Sequence, residues 1–250
     1  MQSFSASERC GKILMAVKSA GRISVGDLIA LLGVSPATVR RDLGELVESG
    51  ALERVRGGVH WPGDGLGEQP HGRRRSEALA QKRAIAGAAA REVRKGASIF
   101  LDSGTTCHEL GALLAVRKDV VIYTTSASLL SVVETCAAHI VFLGGECRPV
   151  SLAMVGAVTL DWIARLRPDV AFIGATAVDA RVGLFTTETM EAAVKAAAIK
   201  QARRTVLLAD SSKAEATASV QFAKWKSIAE WITDRGLSAK SRWPVSVRRV

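Results

Sequence analysis

The chain is short of cysteine, of long apolar runs and of repeats. Its 250 residues hold four cysteines, and Cys10, Cys107, Cys136 and Cys147 are scattered without paired spacing. That pattern excludes a disulfide frame and fits reduced thiols in a cytoplasmic protein. Cys107-His108 has no second pair at metal-site spacing, so no metal ligand is assigned. No apolar run reaches the roughly 18 residues that a membrane span needs. The first residues lack a basic segment leading into an apolar core and a cleavage site, so no secretory signal is expected. No internal repeat or low-complexity block stands out. No stretch combines a general base with a general acid: Asp102, Glu188, Glu191 and Asp210 are bases by type alone. No catalytic residue and no cofactor is assigned.

What is present is globular composition and positive charge. The chain is 48% hydrophobic and 23% charged, as a folded soluble domain would be. A net charge of +10 favours contact with a polyanion. The charge is spread, however. Residues 1–75 carry eleven Lys and Arg against eight Asp and Glu, while the remaining residues carry 23 against 16. The argument for a polyanion partner therefore rests on placed residues and not on the total.

The most informative stretch is VSPATVRRDL, Val34 to Leu43. Ser35 supplies a capping oxygen, and Pro36 suits the first helical position. Val39, Leu43 and Leu46 then fall at helical spacing on one apolar stripe. Ala37, Thr38, Arg40 and Arg41 lie off it, in the first turn and a half. A buried back and a front of small, hydroxyl and guanidinium groups suit the major groove, where arginine can bond guanine bidentately. Ahead of it, Val25 to Leu32 reads as a short helix ending at Gly33, and Glu8 to Ala20 as another ending at Gly21. After it, two extended runs, Ala51 to Val55 and Val59 to Trp61, flank Arg56-Gly57-Gly58 and predict a hairpin. Arg54 and Arg56 on that hairpin are placed to reach phosphates. Three helices and a basic hairpin predict a winged helix-turn-helix over residues 1–61, contacting double-stranded DNA through Ser35, Ala37, Thr38, Arg40, Arg41, Arg54 and Arg56.

Residues 62–75 are rich in Gly and Pro without a period and read as a linker, in which Arg73-Arg74-Arg75 reads first as a solvated charge run and second as a phosphate contact. Ser76 to Arg94 reads as helix, with Lys82 and Arg83 off its apolar face. A second domain follows over residues 76–235, and the basic segment 236–250 is expected to be mobile. In that domain Ser98–Leu101, Val120–Tyr123, Ile140–Leu143, Val170–Ile173 and Val206–Ala209 are short apolar runs, most of them separated by helical patterns. The order predicts an α/β domain with a mostly parallel sheet, where ligands bind at the carboxyl ends of strands.

The first strand runs into Asp102-Ser103-Gly104-Thr105-Thr106 and then a helix. A turn glycine, three hydroxyls and a helix N-terminus suit a phosphate. Asp102 would repel phosphate and is better suited to accept from sugar hydroxyls. Other strands run into Thr124-Thr125-Ser126, Gly144-Gly145 and Asp210-Ser211-Ser212-Lys213. Lys213 is expected to pair with a phosphate or with Asp102. Glu191 and Lys195, four apart on a helix, read first as a surface salt bridge.

Glu8-Arg9, VSPATVRRDL, Gly50-Ala51-Leu52 and Arg56-Gly57-Gly58, with DSGTT, LGG and LADSSK further on, together resemble the DeoR-type family of bacterial transcriptional regulators. The likeness runs from about Glu8 to Asp234. It implies a second domain similar in fold to ribose-5-phosphate isomerase. It also implies a sugar-phosphate ligand at Asp102, Ser103, Gly104, Thr105, Thr106, Thr124, Thr125, Ser126, Gly144, Gly145, Lys195 and Lys213. One position departs: Thr125 stands where the family usually has asparagine, and the paired donor and acceptor of an amide are lost.

The expected function is a transcriptional repressor of carbohydrate-catabolism genes, binding as a homo-oligomer, a dimer or tetramer, and released by a phosphorylated sugar. Two alternatives stand beside it. One is a sugar-phosphate isomerase carrying a DNA-binding appendage, which rests on fold analogy alone. The other is a constitutive regulator with a degenerate pocket, motivated by Thr125.

Overall fold

The computed structural model describes residues 4–55, 57–61 and 69–250. They form two compact units divided between Ser76 and Glu77.

In the first unit, three helices pack on a small sheet. α1 (Ala6–Ala20) begins in a capping box of Ser5 and Glu8, which satisfies two free backbone N–H groups. β1 (Arg22–Ser24) leads into α2 (Val25–Leu32), capped by Ser24 and ended by Gly33 in the left-handed region. α3 (Pro36–Glu48) follows, with the Ser35 side chain accepting from the Thr38 N–H. β2 (Glu53–Val55) and β3 (Gly58–His60) make the hairpin. β1, which the sequence pattern does not announce, pairs antiparallel with β3 and makes that strand central. A three-residue strand is too short to show a period. Gly58 is obligatory there, because a Cβ would lie 2.1 Å from the Ile23 carbonyl oxygen. Ile13 and Val17, Leu28 and Leu32, and Val39, Leu43 and Leu46 converge from the three helices on Leu52 and Val59. The helical stripes read from sequence are thus the core faces.

The linker reading needs correction at its end. His71–Ser76 is a short helix, α4, and belongs to the first unit. Its chain packs closely on α1: a Cβ at Gly72 would lie 3.1 Å from the Ser19 carbonyl, and one at Gly21 3.1 Å from Pro70 and Arg73. Composition showed glycine, proline and charge but not this contact. Arg56 and the stretch 62–68 lie outside the described residues.

The second unit is a three-layer α/β domain. Its helices are α5 (Leu79–Ala90), α6 (Thr105–Ala115), α7 (Ala157–Ala164) and α8 (Thr189–Gln201). Its strands are β4 (Ser98–Leu101), β5 (Val121–Thr124), β6 (His139–Phe142), β7 (Glu146–Arg148), β8 (Ala153–Val155), β9 (Val170–Ile173), β10 (Ala177–Asp179), β11 (Gly183–Thr186), β12 (Thr205–Leu208), β13 (Val220–Ala223), β14 (Glu230–Thr233) and β15 (Ser246–Arg249). Seven of them pair in parallel, in the order β15-β14-β12-β9-β4-β5-β6. Parallel strands are buried on both faces and so read as continuous apolar runs. Ile99 and Leu101 face the layer of α5 and α6, with Ile85, Leu110 and Leu114. Phe100, between them, faces the layer of α7 and α8, with Ile163 and Val194. The antiparallel set β10-β11-β13 joins that second layer.

Three expectations fail here. The segment 236–250 is ordered: β15 pairs with β14, and Trp243 packs edge-on against Trp231 at 4.8 Å and Trp225 at 5.5 Å. β14 would otherwise leave an open edge, and the apolar partners of Trp243 are distant in sequence. Lys82 does not lie on an exposed face; it is buried and donates to the Glu77 carbonyl at 2.7 Å, closing the irregular start of α5 where Ala78 takes a positive φ. The helix expected over Ser76–Arg94 is therefore shorter. No helix among the described residues is long and apolar enough to cross a membrane.

Candidate nucleic-acid interface and ligand site

On the first unit, the front of α3 has the character the sequence suggested. Ser35, Ala37, Arg40 and Arg41 are exposed and Thr38 is half-buried. Ser35 and Thr38 join hydroxyls at 2.9 Å as part of the cap, so Thr38 brings its methyl and the remainder of its hydrogen-bonding capacity outward. Arg40 and Arg54 line one concavity of about 220 Å³ between α3 and the hairpin. Arg41, next to Arg40 in sequence, is exposed. Among the described residues none of these three arginines has a carboxylate partner. An unpaired guanidinium is free to bond a base edge or a phosphate.

What holds that front in place is a pair that the sequence pattern did not reveal. Arg9 of α1 forks onto Asp42 of α3, Nε donating to Oδ2 at 2.7 Å and Nη2 to Oδ1 at 3.0 Å, while Nη1 donates to the Phe4 carbonyl. Asp42 sits next to Arg41 yet faces inward, buried at 1% exposure. The planar fork fixes the two helices in angle as well as distance. The only sequence signal was a charged residue on the apolar stripe of α3.

On the second unit, the carboxyl ends of the central strands carry the other site. Asp102 follows β4 and is 1% exposed; Lys195 of α8 is 5% exposed. Lys195 Nζ donates to Asp102 Oδ2 at 2.5 Å and to the Gly174 carbonyl at 3.2 Å, and the Gly174 N–H donates to the same carboxylate oxygen at 2.9 Å. Burial pushes the Lys195 ammonium down, but the charges of Asp102 and Glu191 and the Asp102 hydrogen bond outweigh it and raise it above its ordinary value. One turn earlier on α8, Glu191 accepts from Arg148 of β7, which also donates to Ser151 and lies 3.8 Å from Glu188. Glu191 and Lys195 are therefore not a surface salt bridge. Both are buried, and each pairs across the fold with a residue far away in sequence. Arg148 and Ser151 were not foreseen; the turn between them ends at Leu152, held at φ 55.

Beside Asp102 the helix α6 starts at Gly104 with no side-chain cap, at an end where backbone N–H groups lack intrahelical acceptors. Ser103, Thr105 and Thr106 line that start and are buried. Leu101 pairs with Thr124 in register, which makes Asp102 and Thr125 neighbours one step on. Thr124 turns to the Leu101 carbonyl at 2.8 Å, and Ser126 to Ser128, which in turn bonds His108 of α6. Those two hydroxyls already have partners within the domain. Thr125 lies between them, 1% exposed, and its hydroxyl has no hydrogen-bond partner. Strand alternation sends it to the Asp102 and α8 side.

The remaining predicted residues divide. Gly144 and Gly145 are exposed; the Gly144 carbonyl accepts from Thr159 at 2.7 Å, and a Cβ on Gly145 would meet that hydroxyl at 2.1 Å. Close packing on α7 accounts for the glycine at 145, whereas a Cβ at Gly144 would meet nothing within 4 Å. Lys213 does not pair with Asp102, whose cation is Lys195. It sits half-buried after β12 with no carboxylate partner among the described residues. Asp210 accepts from Ser212, and Asp234 accepts from the Ser211 N–H at 2.6 Å and the Gly236 N–H at 2.8 Å, bracing the Lys213 turn. Of the two Asp102 carboxylate oxygens, Oδ2 is shared by two protein donors, Lys195 and the Gly174 N–H. Cys107 is fully buried, and burial drives its thiol well above the ordinary range, so it is inert packing. Among the described residues no cluster of His, Cys, Asp and Glu could hold a metal ion.

Comparison with known proteins bears on both units. Residues 9–63 match the model of the DeoR-like helix-turn-helix domain, and residues 77–235 that of the DeoR C terminal sensor domain. The HTH-type transcriptional regulator GlpR of Haloferax volcanii is 35% identical over 94% of this chain and 92% of its own. The glycerol-3-phosphate regulon repressor of Escherichia coli K12 is 30% identical over 97% of this chain and 94% of its own. Among solved structures, a ribose 5-phosphate isomerase A from Methanocaldococcus jannaschii matches at a TM-score of 0.38 and 23% identity, over 53% of this chain and 52% of that one.

Proposed function

The chain belongs to the DeoR family of DNA-binding transcriptional regulators, and on that premise we propose that it represses carbohydrate-catabolism genes and is released from its operator by a small phosphorylated sugar or polyol. The observation that carries the effector half is the set at the strand ends: an uncapped α6 N-terminus, the unpartnered Thr125 hydroxyl and the unpaired Lys213 around a buried Asp102–Lys195 pair. Lys195 and Arg148 are already neutralised by carboxylates, so the phosphate falls to the α6 backbone and Lys213. The fixed pair and Thr125 then present donors and acceptors to hydroxyl groups. Relatives named for a glycerol-3-phosphate regulon make glycerol 3-phosphate the first compound to try.

The protein works in the cytoplasm as a homo-oligomer on repeated half-sites, reading bases through Arg40 and Arg41 and phosphates through Arg54 and Arg56. It is not an enzyme. Each candidate base, Asp102, Glu188, Glu191 and Asp210, already accepts a hydrogen bond from a protein donor, which disfavours a free base poised at a reacting carbon. Release requires only that the effector bind one arrangement of the protein more tightly than another.

The test is fluorescence anisotropy on the chain's own upstream DNA at fixed salt, titrated with phosphorylated sugars and polyols. Release by one compound and not by its unphosphorylated form supports the reading. Tight binding that no such compound relieves overturns the effector half, and equal affinity for upstream and random DNA overturns operator recognition.

A further inference from the structure

We propose that the amino-terminal edge of the second unit's parallel sheet, opposite the ligand site, is an additional DNA-contacting surface that neutralises backbone phosphates flanking the operator. The proposal rests on the operator-binding reading above and extends it to a domain that so far has only a sensing role.

The observation is a charge asymmetry between the two edges of one sheet. Basic pairs precede several strands: Arg94-Lys95 before β4, Arg117-Lys118 before β5 and Arg203-Arg204 before β12, with Lys224 and Lys226 before β14. Part of this has a local cause. In a parallel α/β layer the helices end at this edge, and a cation near each helix C-terminus complements its dipole. Other cations there are spent on acids: Arg117 on Asp119, Arg165 on Asp161, and Arg204 on Glu92 and Glu230. A surplus remains. Arg94, Lys95, Lys118, Arg167, Lys200 and Lys226 are all exposed and have no ion pair with a carboxylate among the described residues. At the ligand edge, by contrast, Arg148 and Lys195 are buried and matched, and among the described residues only Lys213 and Arg235 of its cations stand without a carboxylate.

Shape agrees with charge. Two open clefts of about 440 and 550 Å³ lie side by side on this edge and share Arg203 and Arg204. Lys95 and Arg94 line one, Lys200 and Lys226 the other. From the start of β5 to the start of β14 there are four strand spacings, or about 19 Å. That is wide enough to reach phosphates on both sides of a major groove about 12 Å across. Phe172, Phe222 and Ile228 lie buried in the cleft walls, but most of the exposed lining residues are cations, and a row of exposed point charges fits a regular polyanion.

The experiment uses the full chain on two duplexes, the core operator alone and the same operator extended by several helical turns on each side. Wild type is compared with the triple variant Lys95→Gln, Lys118→Gln, Lys226→Gln, and with a control, Arg181→Gln, Arg235→Gln, that removes exposed cations elsewhere. Binding of each duplex is measured across a salt series. The expected result is tighter wild-type binding of the long duplex, abolished in the triple variant. The slope of log affinity against log salt on that duplex should fall by about two to three, near 0.9 for each phosphate no longer neutralised. Binding to the core operator and the control variant should be unchanged. Equal slopes for wild type and triple variant overturn the proposal. So does a triple variant whose sedimentation changes while its slope does not, since the edge would then face protein. Failure of wild type to bind the core operator sinks operator recognition instead, and the salt slope on the long duplex still decides the edge.

Discussion

Arg40, Arg41 and Arg54 stand exposed on the first unit without carboxylate partners, whereas Lys195 and Arg148 of the second lie buried, each matched to a carboxylate. The difference follows from what each surface meets. DNA brings its own negative charge, so its binding face keeps cations solvated and open until contact. A small ligand must be oriented within the fold, and a buried cation left unpaired there would cost several kcal/mol. The two regions therefore divide one residue type between two uses: charge as an attractant, and charge as a fixed scaffold for hydroxyls and backbone N–H groups.

The comparison is broken most severely at its buried member. Lys195→Met leaves Asp102 buried without its cation and is expected to destabilise the chain by about 3–5 kcal/mol, read by urea unfolding. Combining it with Asp102→Leu should recover much of that loss. A loss below about 1 kcal/mol for the single variant would mean that the pair is not held as described. Trp243→Ala comes next, at about 2 kcal/mol, because its packing on Trp225 and Trp231 is removed. An unchanged melting temperature would return the segment 236–250 to the mobile tail that sequence alone suggested.

On the exposed side, Arg41→Ala should leave stability untouched and weaken operator binding about ten- to a hundredfold, far more than it weakens random DNA. Arg54→Ala should weaken both alike, and equal losses for Arg41→Ala would remove it from the base-reading set. Thr125→Val sharpens the contrast. Removing a buried hydroxyl that has no partner should stabilise the chain by up to about 1 kcal/mol while reducing release by the effector. If release is unchanged, Thr125 does not touch the ligand. The smallest effect is a pH dependence at Asp234. Burial raises this carboxyl, but the hydrogen bonds from Ser211 and Gly236 outweigh it and hold it below the usual carboxylate range. Its contribution is present above the unfolded value near ~3.9 and is lost as pH falls through the lower folded value. Stability of wild type relative to Asp234→Asn should therefore shrink below about pH 4, and a constant difference down to about pH 2 would exclude this source.

The reading from sequence was uneven for the same reason. Most of α3 announces its role locally: Ser35 and Pro36 by cap chemistry, Val39, Leu43 and Leu46 by period, the arginines by lying off the stripe, with Asp42, bonded to Arg9 of α1, the exception. The ligand edge is assembled from β4, β5, β7, α8 and the turn after β12, and its pairs span 93 residues in Asp102–Lys195 and 43 in Arg148–Glu191. Spacing of four along α8 suggested that Glu191 and Lys195 meet each other; the fold gives each a different partner. Lys82 and the 236–250 segment were misjudged because charge was taken as a sign of exposure. In both cases a nearby carbonyl or an open strand edge recruited the segment inward.

By itself the sequence determined the elements that depend on near neighbours: the capped helices, the hairpin, the apolar strands of a parallel sheet, and the basic front of α3. Capping, periodicity and strand burial are written within a few residues of where they act. Only the tertiary structure decided which charges are buried, which carboxylate holds which cation, where a hydroxyl goes without a partner, and that the last strand closes the sheet. Those outcomes depend on distances between segments far apart in the chain, and on the cost of leaving a polar group unpaired away from water, which no local pattern records.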